Sequence, residues 1–504
     1  MSLSQAQRAT VIAASLLALF LGALDSLVMS AAMPTIITDL GGLQLYSWVY
    51  SAYFLSRAVS LPIFGKLADL YPTRTLFITA IGIFLTASAA AGCSLNMTFL
   101  IAARVVQGMG AGGIFALVYI VLADVAAPGQ RGRTLSLASS IWGIASVLGP
   151  TLGGFIVTYF SWRWIFFLNI PMGIISLWGI AARFVETRSK QTQVSLDLLG
   201  VATLTTSVLA LLFAFLIGGR TFAWTSPPIL GLLVLSAVGT AAFIRAEKRA
   251  RAPILSIGFF RYRGFTTGNA AVFLSSMAIF SLFAFAPLFI QGAQGKSPLQ
   301  VGITMLSLSL GWSMSSLALG QVIDRMGYKP AALSGAVCLV AGCAMTLSFT
   351  PNSTVIYSFT TFFVVGVGMG FVALSTLLVV QSCLDDKDLG VATASNQFAR
   401  TMGGAVGVGV CGGFIATRFA LLNQSIRQSG ILAHLPANLG ESGAGQVERL
   451  LSPEIQALLP ADLRQMLHQA VVQGVRQVFW TVLAAASLCL LLCLFMPGNR
   501  ASSR

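Results

Sequence analysis

Charge is what this sequence has least of. Charged side chains make up 9% of the 504 residues, against about 25% in soluble domains, so a water-soluble globular fold is excluded. There are 15 acidic residues and two histidines, His434 and His468, too far apart to suggest a metal site. Cys93, Cys338, Cys343, Cys383, Cys411, Cys489 and Cys493 lie in or beside apolar runs without zinc-like spacing, so they read as small hydrophobes and no metal or disulfide is expected. No G-x-x-x-x-G-K-[ST] pattern occurs, so ATP is not the expected energy source and no cofactor is expected. Short alternating segments of about 10 residues are also lacking, which excludes a membrane β-barrel.

What is there is apolar. Hydrophobic residues reach 56%, mean hydropathy is +0.85, and the 55 residues from Pro330 to Leu384 carry no charge. A spanning helix needs about 20 such residues, so that stretch holds two, and helices are the remaining way to satisfy a backbone in lipid. An all-α integral membrane protein follows. The first apolar run contains Asp25 and precedes many others, so it reads as an uncleaved helix, not a removable signal.

Charges, breaks and run lengths predict fourteen spans: 9–33, 46–67, 75–94, 98–123, 133–159, 164–184, 197–219, 226–246, 264–291, 298–322, 331–349, 354–381, 391–417 and 473–496. With the N-terminus inside, cytoplasmic segments hold 19 of the 30 basic residues, which predicts both termini in the cytoplasm. That topogenic bias accounts for the net charge of +15 without a nucleic-acid partner. A long outer segment over 418–472 reads as a cap or surface-lying helix.

An internal repeat gives the architecture. Gly65, Asp69 and Arg74 after the second span recur at the same spacing as Gly320, Asp324 and Lys329 after the tenth. Two homologous six-helix halves, 1–190 and 251–504, are therefore expected on either side of an inserted hairpin, 191–250. The small glycine lets two helices approach, and Asp69 can cap a neighbouring helix and pair with a base such as Arg74. A plain turn with topogenic charge is the other reading.

This repeated segment resembles the signature loop of the major facilitator superfamily, although Leu70 and Pro72 depart from its usual pattern. Three further segments resemble that family's fourteen-span drug:proton antiporter branch: Leu24-Asp25-Ser26 with Ala32-Met33-Pro34, Arg104 to Gly110, and Gly143 with Gly149-Pro150-Thr151-Leu152-Gly153-Gly154. The resemblance implies a major facilitator fold in a bacterial cytoplasmic (inner) membrane. It implies Arg104 in a proton relay, gating by the repeated loops, and a seal between the halves at the glycine–proline segment. Proline kinks a helix and the glycines admit a close neighbour.

Asp25 is the one carboxylate well inside a predicted span. An ionised carboxylate there must pair, face water or take up a proton. Either a permanent structural pair or a proton-binding group fits. Arg57, deep in the second span, is either a partner of Asp25 or a contact for an anionic or polar substrate. Arg400, with Asn396 and Gln397, is an interior site or a structural cation. Trp142, Phe280 and Phe283 line a cavity, face lipid or pack in the core.

The expected function is proton-coupled antiport exporting small amphipathic or lipophilic compounds by alternating access, since an apolar cavity with one acidic group suits cationic or neutral drugs. Export of a dedicated metabolite, siderophore or lipid is the alternative. An intramembrane enzyme is excluded for want of paired catalytic groups in the spans. The expected partners are protons, a small-molecule substrate and membrane lipid, with the monomer as the working unit.

Overall fold

The computed structural model describes residues 4–40, 45–127, 129–186, 197–219, 222–250, 253–296, 298–428 and 461–498. In chain order the helices are α1 Gln5–Leu40, α2 Tyr46–Leu70, α3 Thr73–Gly92, α4 Met97–Val125, α5 Arg131–Tyr159, α6 Trp164–Phe167, α7 Asn169–Arg183, α8 Leu198–Ile217 and α9 Pro227–Glu247. There follow α10 Arg263–Gly292, α11 Pro298–Met326, α12 Tyr328–Leu347, α13 Val355–Ser382, α14 Leu389–Gln428 and α15 Ala461–Leu494. With α6 and α7 taken together these are fourteen spans. Thirteen are long and apolar enough on their own to cross a membrane; α2 carries Arg57, Lys66 and Asp69.

Several boundaries differ from the expected ones. The sixth span breaks at Leu168 because Pro171 has no N–H to offer Phe167 and its ring crowds that carbonyl. The expected outer loop 418–472 is helical at both ends, since α14 runs to Gln428 and α15 begins at Ala461. Hydropathy truncates such amphipathic turns, whereas their backbone hydrogen bonds continue past the apolar run. His468 on α15 meets the Ala293 carbonyl at 2.8 Å, fixing that end to α10. His434, and the boundary between 190 and 191, lie outside the described residues. The repeated loops are helix ends: Gly65 and Asp69 lie in α2, Gly320 and Asp324 in α11. Where the first copy turns at Pro72, the second turns at Gly327 with φ of 89°, a left-handed conformation that favours glycine.

Packing follows the repeat. α4 is wedged between α2 and α3, and α13 between α11 and α12; both are among the most deeply buried helices. Gly112 of α4 lies against Ser60 and Arg57 of α2, as Gly370 of α13 lies against Trp312 and Ser315 of α11. Without side chains at these points the backbones approach closely, and van der Waals contact replaces the hydrophobic drive that lipid cannot supply. Asn96 caps α4 by accepting from Phe99 N–H at 2.8 Å, and Thr354 caps α13 by accepting from Tyr357 N–H at 3.2 Å.

The halves meet along two seams, α2 with α14 and α5 with α11, which the repeat makes equivalent. Gly65 abuts Ala394 in the first seam and Gly320 abuts Ser136 in the second. The inserted hairpin α8–α9 lies beside them, with α8 against α2 and α14.

A Cβ on Gly112 would stand 2.6 Å from Ser60 Cβ and 2.7 Å from the Arg57 carbonyl oxygen, whereas one on Gly154 meets nothing within 4 Å. Gly112→Ala is expected to destabilise by about 1–3 kcal/mol through overpacking. Gly154→Ala should be neutral or slightly stabilising, through helix propensity. Thermal melting of both purified variants in detergent checks the contrast; equal melting temperatures would refute it.

Candidate functional site

Four helices of the first half bury a polar network around Asp25. Asp25 Oδ2 accepts from Arg104 Nη1 at 2.5 Å, and both side chains are fully buried. Gln107 Nε2 donates to Asp25 Oδ1 at 2.9 Å while Gln107 Oε1 accepts from Arg104 Nη1 at 2.8 Å, so the amide closes a ring with the ion pair. Asn169 Nδ2 donates to Asp25 Oδ1 at 3.3 Å and to Ser88 Oγ at 3.0 Å, and Ser88 Oγ donates to the Phe166 carbonyl at 2.9 Å. The Arg104 guanidinium carbon stacks 4.1 Å from the Tyr53 ring centroid. Removing one member of such a buried pair costs more than forming it yields. Arg104 and Gln107 face the same way because they lie three apart on α4. Asn169 was not singled out from sequence; its one signal is an amide inside an apolar run.

Arg57 is not the partner of Asp25, which corrects one of its two sequence readings. It faces a central cavity of about 520 Å³. The lining comes from both halves: Ser26 of α1, Phe54 and Arg57 of α2, Phe115 of α4, Trp142 and Gly143 of α5, Phe280 and Phe283 of α10, Trp312 of α11, and Gln397 and Arg400 of α14. Trp142, Phe280, Phe283, Gln397 and Arg400 thus lie where cavity lining was expected. Asn396 does not: it is buried behind the wall, and its Nδ2 has no hydrogen-bond partner. Asp25 is absent from the lining as well, so the expectation of an acidic group facing the cavity is corrected. Its chain neighbour Ser26 faces the cavity while Asp25 turns inward. The inserted hairpin also contributes, through Leu212, Phe215 and Leu216 of α8.

At the face bearing the repeated segments the two seams bring the halves into contact. Asp69 is buried and caps α14, its Oδ1 accepting from Gly390 N–H at 2.8 Å and its Oδ2 from Val391 N–H at 2.9 Å. The Arg74 guanidinium donates to the Ala181 carbonyl and its main-chain N–H to Glu186 Oε1, which corrects its expected pairing with Asp69. In the second copy Asp324 is exposed and Lys329 half-buried, so the repeat is kept in sequence but not in the cap. Ser313 Oγ donates to the Ser139 carbonyl at 2.8 Å, and Gly143 lies against Ser313, which joins α5 and α11 in mid-membrane. Gly149 packs on Leu27 of α1. Gly153 is buried, whereas Gly154 has open space beside it and admits no close neighbour. Pro150 lies within α5; its side chain is outside the described residues.

Two helical halves joined along symmetric seams, enclosing an amphipathic cavity beside a buried ion pair, define a membrane transporter fold. The chain matches the Major Facilitator Superfamily over residues 15–408 and belongs to it. It is 33% identical to the multidrug transporter protein MdtP of Bacillus subtilis over 99% of this chain and 95% of that one. It is 28% identical to multidrug resistance protein 3 of the same organism, over 98% of this chain and 96% of that one. The crystal structure of the human organic anion transporter MFSD10 aligns with a TM-score of 0.61 at 14% identity, covering 94% of this chain and 99% of that one, a likeness of fold alone. The chain is a transporter, not an enzyme.

Arg104→Gln strands Asp25 in the bilayer without its cation, at an expected cost of about 3–5 kcal/mol. Adding Asp25→Asn removes the stranded charge. The double variant should therefore melt higher than Arg104→Gln alone; a lower melting temperature for the double would show that the two side chains do not act as a pair.

Proposed function

We propose that this transporter is a proton-coupled antiporter that exports small amphipathic or lipophilic compounds by alternating access, with Asp25 as the proton-binding group and Arg104 as its relay partner. The observation that carries the reading is the Asp25–Arg104–Gln107 ring, buried one residue from the cavity-facing Ser26. A proton on Asp25 cancels its attraction to Arg104 and frees the guanidinium. Loss of the proton restores the pair. Proton entry supplies about 2.3 kcal/mol per 100 mV for each charge moved.

The gating parts belong to the same reading. Gly65, Asp69 and Arg74, with Gly320, Asp324 and Lys329, form the gate on the face that carries them, and Gly143 of α5, against Ser313 of α11, seals the halves deeper in. With both termini in the cytoplasm of a bacterium, that closed face is the inner one and the cavity serves the outer side. Opening it requires Asp69 to leave the N-terminus of α14, so the proton cycle must offset that lost cap. Protons, a small solute and surrounding lipid are the partners, and the monomer contains the complete path.

The names of the multidrug relatives support a broad substrate range. Two cavity arginines favour a second reading, a dedicated exporter of a metabolite, siderophore or lipid on the same scaffold.

In proteoliposomes with an internal pH dye, substrate addition should evoke proton movement in wild type and none in Asp25→Asn, whose membrane insertion should be unchanged. Full coupled transport in Asp25→Asn would overturn the assignment of the proton to Asp25.

A further inference from the structure

The chemistry of the cavity wall is one-sided. Among the described residues no Asp or Glu lines it, and the two charged residues that do, Arg57 and Arg400, are both cationic. Arg57 is nine-tenths buried, its Nη1 has no hydrogen-bond partner, and its guanidinium carbon lies 4.7 Å from the Phe54 ring centroid and 4.8 Å from that of Phe115. Trp142 Nε1 is likewise buried without an acceptor, and its ring lies 5.6 Å from the same Phe115. Guanidinium and indole nitrogens can only donate. Gln397 Oε1 on the same wall takes Arg400 Nη2 at 2.5 Å.

The arginines come from opposite halves and converge on one helix. Arg57 stacks on Phe115, while Arg400 Nη2 donates to Tyr119 Oη at 3.3 Å. Phe115 and Tyr119 are four residues apart on α4 and so share a face, one turn apart. Neither arginine forms a salt bridge among the described residues. A planar guanidinium with a spare donor matches a carboxylate, sulfonate or phosphate in geometry as well as charge. Phe54, Phe280, Phe283 and Trp312 present apolar surface to the rest of the ligand.

We infer that Arg57 and Arg400, with Trp142 Nε1, form a headgroup subsite for amphipathic organic anions, so that the transported class is an aromatic or lipophilic acid and not a lipophilic cation. This rests on the export reading above and narrows its substrate. One arginine from each half also means that a bound anion bridges the halves, and closing the cavity around it brings the two cations to a shared counter-charge.

The test is binding to wild-type protein in zwitterionic nanodiscs without a pH gradient, read from quenching of tryptophan fluorescence, since Trp142 and Trp312 line the cavity. The probes are a naphthylalkyl carboxylate, its methyl ester and the matching quaternary ammonium. The carboxylate should bind at least about tenfold tighter than either, as expected of one charge-assisted contact. Arg57→Gln should erase that margin while leaving ester binding unchanged, and Arg57→Lys should keep part of it. Competition by added phosphatidylglycerol would identify a lipid headgroup as the occupant of the same subsite. Equal affinities for the three probes, or tighter binding of the ammonium, would overturn the inference even if the arginine variants failed to fold. Equal affinities with coupled efflux intact would remove the anion subsite and leave antiport standing. A carboxylate margin without any coupled efflux would do the reverse.

Discussion

The cost of charge in hydrocarbon governs this structure. Each ionised group within the spans must be paired, bonded to backbone or exposed to a polar cavity, because solvation by lipid is negligible. Five groups show four solutions. Asp25 and Arg104 neutralise one another within a ring of amides. Asp69 is held by two backbone N–H groups at the start of α14. Arg400 rests on Gln397 and Tyr119. Arg57 has aromatic faces and a spare donor, which makes it the least compensated of them.

That constraint interacts with the twofold repeat. Glycines at matching positions of α4 and α13 set the same close packing in both halves, and Gly65 and Gly320 set the same approach at both seams. The charges break this symmetry. Asp69 is buried in a cap while Asp324 is exposed, and among the described residues the buried ion pair lies in the first half alone. Backbone scaffolding is thus duplicated, whereas the buried ion pair and the carboxylate cap are, among the described residues, specific to one half.

Much of this is legible in the sequence, for physical reasons that can be stated. Spans follow from uncharged run length, and the expectation of two related halves follows from the repeated Gly, Asp and basic spacing. Asp25 and Arg104 stand out because charge inside a span is expensive. What the sequence hides is direction. Ser26 and Asp25 are neighbours, yet one faces the cavity and the other the interior of the first half. Arg57 and Arg104 are both intramembrane arginines, and only packing decides that Arg104 takes the carboxylate. Asn169 and Ser88 become network members through contacts between distant helices, for which a lone amide or hydroxyl gives little warning.

Tyr53 is the element that joins the two chemistries. Its ring is stacked by Arg104 at 4.1 Å and approached by Arg57 at 5.8 Å, and its hydroxyl donates to the Gly22 carbonyl at 3.3 Å on α1. The same side chain therefore touches the ion pair, the cavity cation and the helix that carries Asp25. A shift of Arg104 away from a protonated Asp25 would change the π-face that Tyr53 shares between two guanidiniums, and so alter how strongly Arg57 is held against the cavity wall. The link needs no long pathway, because one aromatic ring lies between the Asp25–Arg104 pair and Arg57 and is in contact with both.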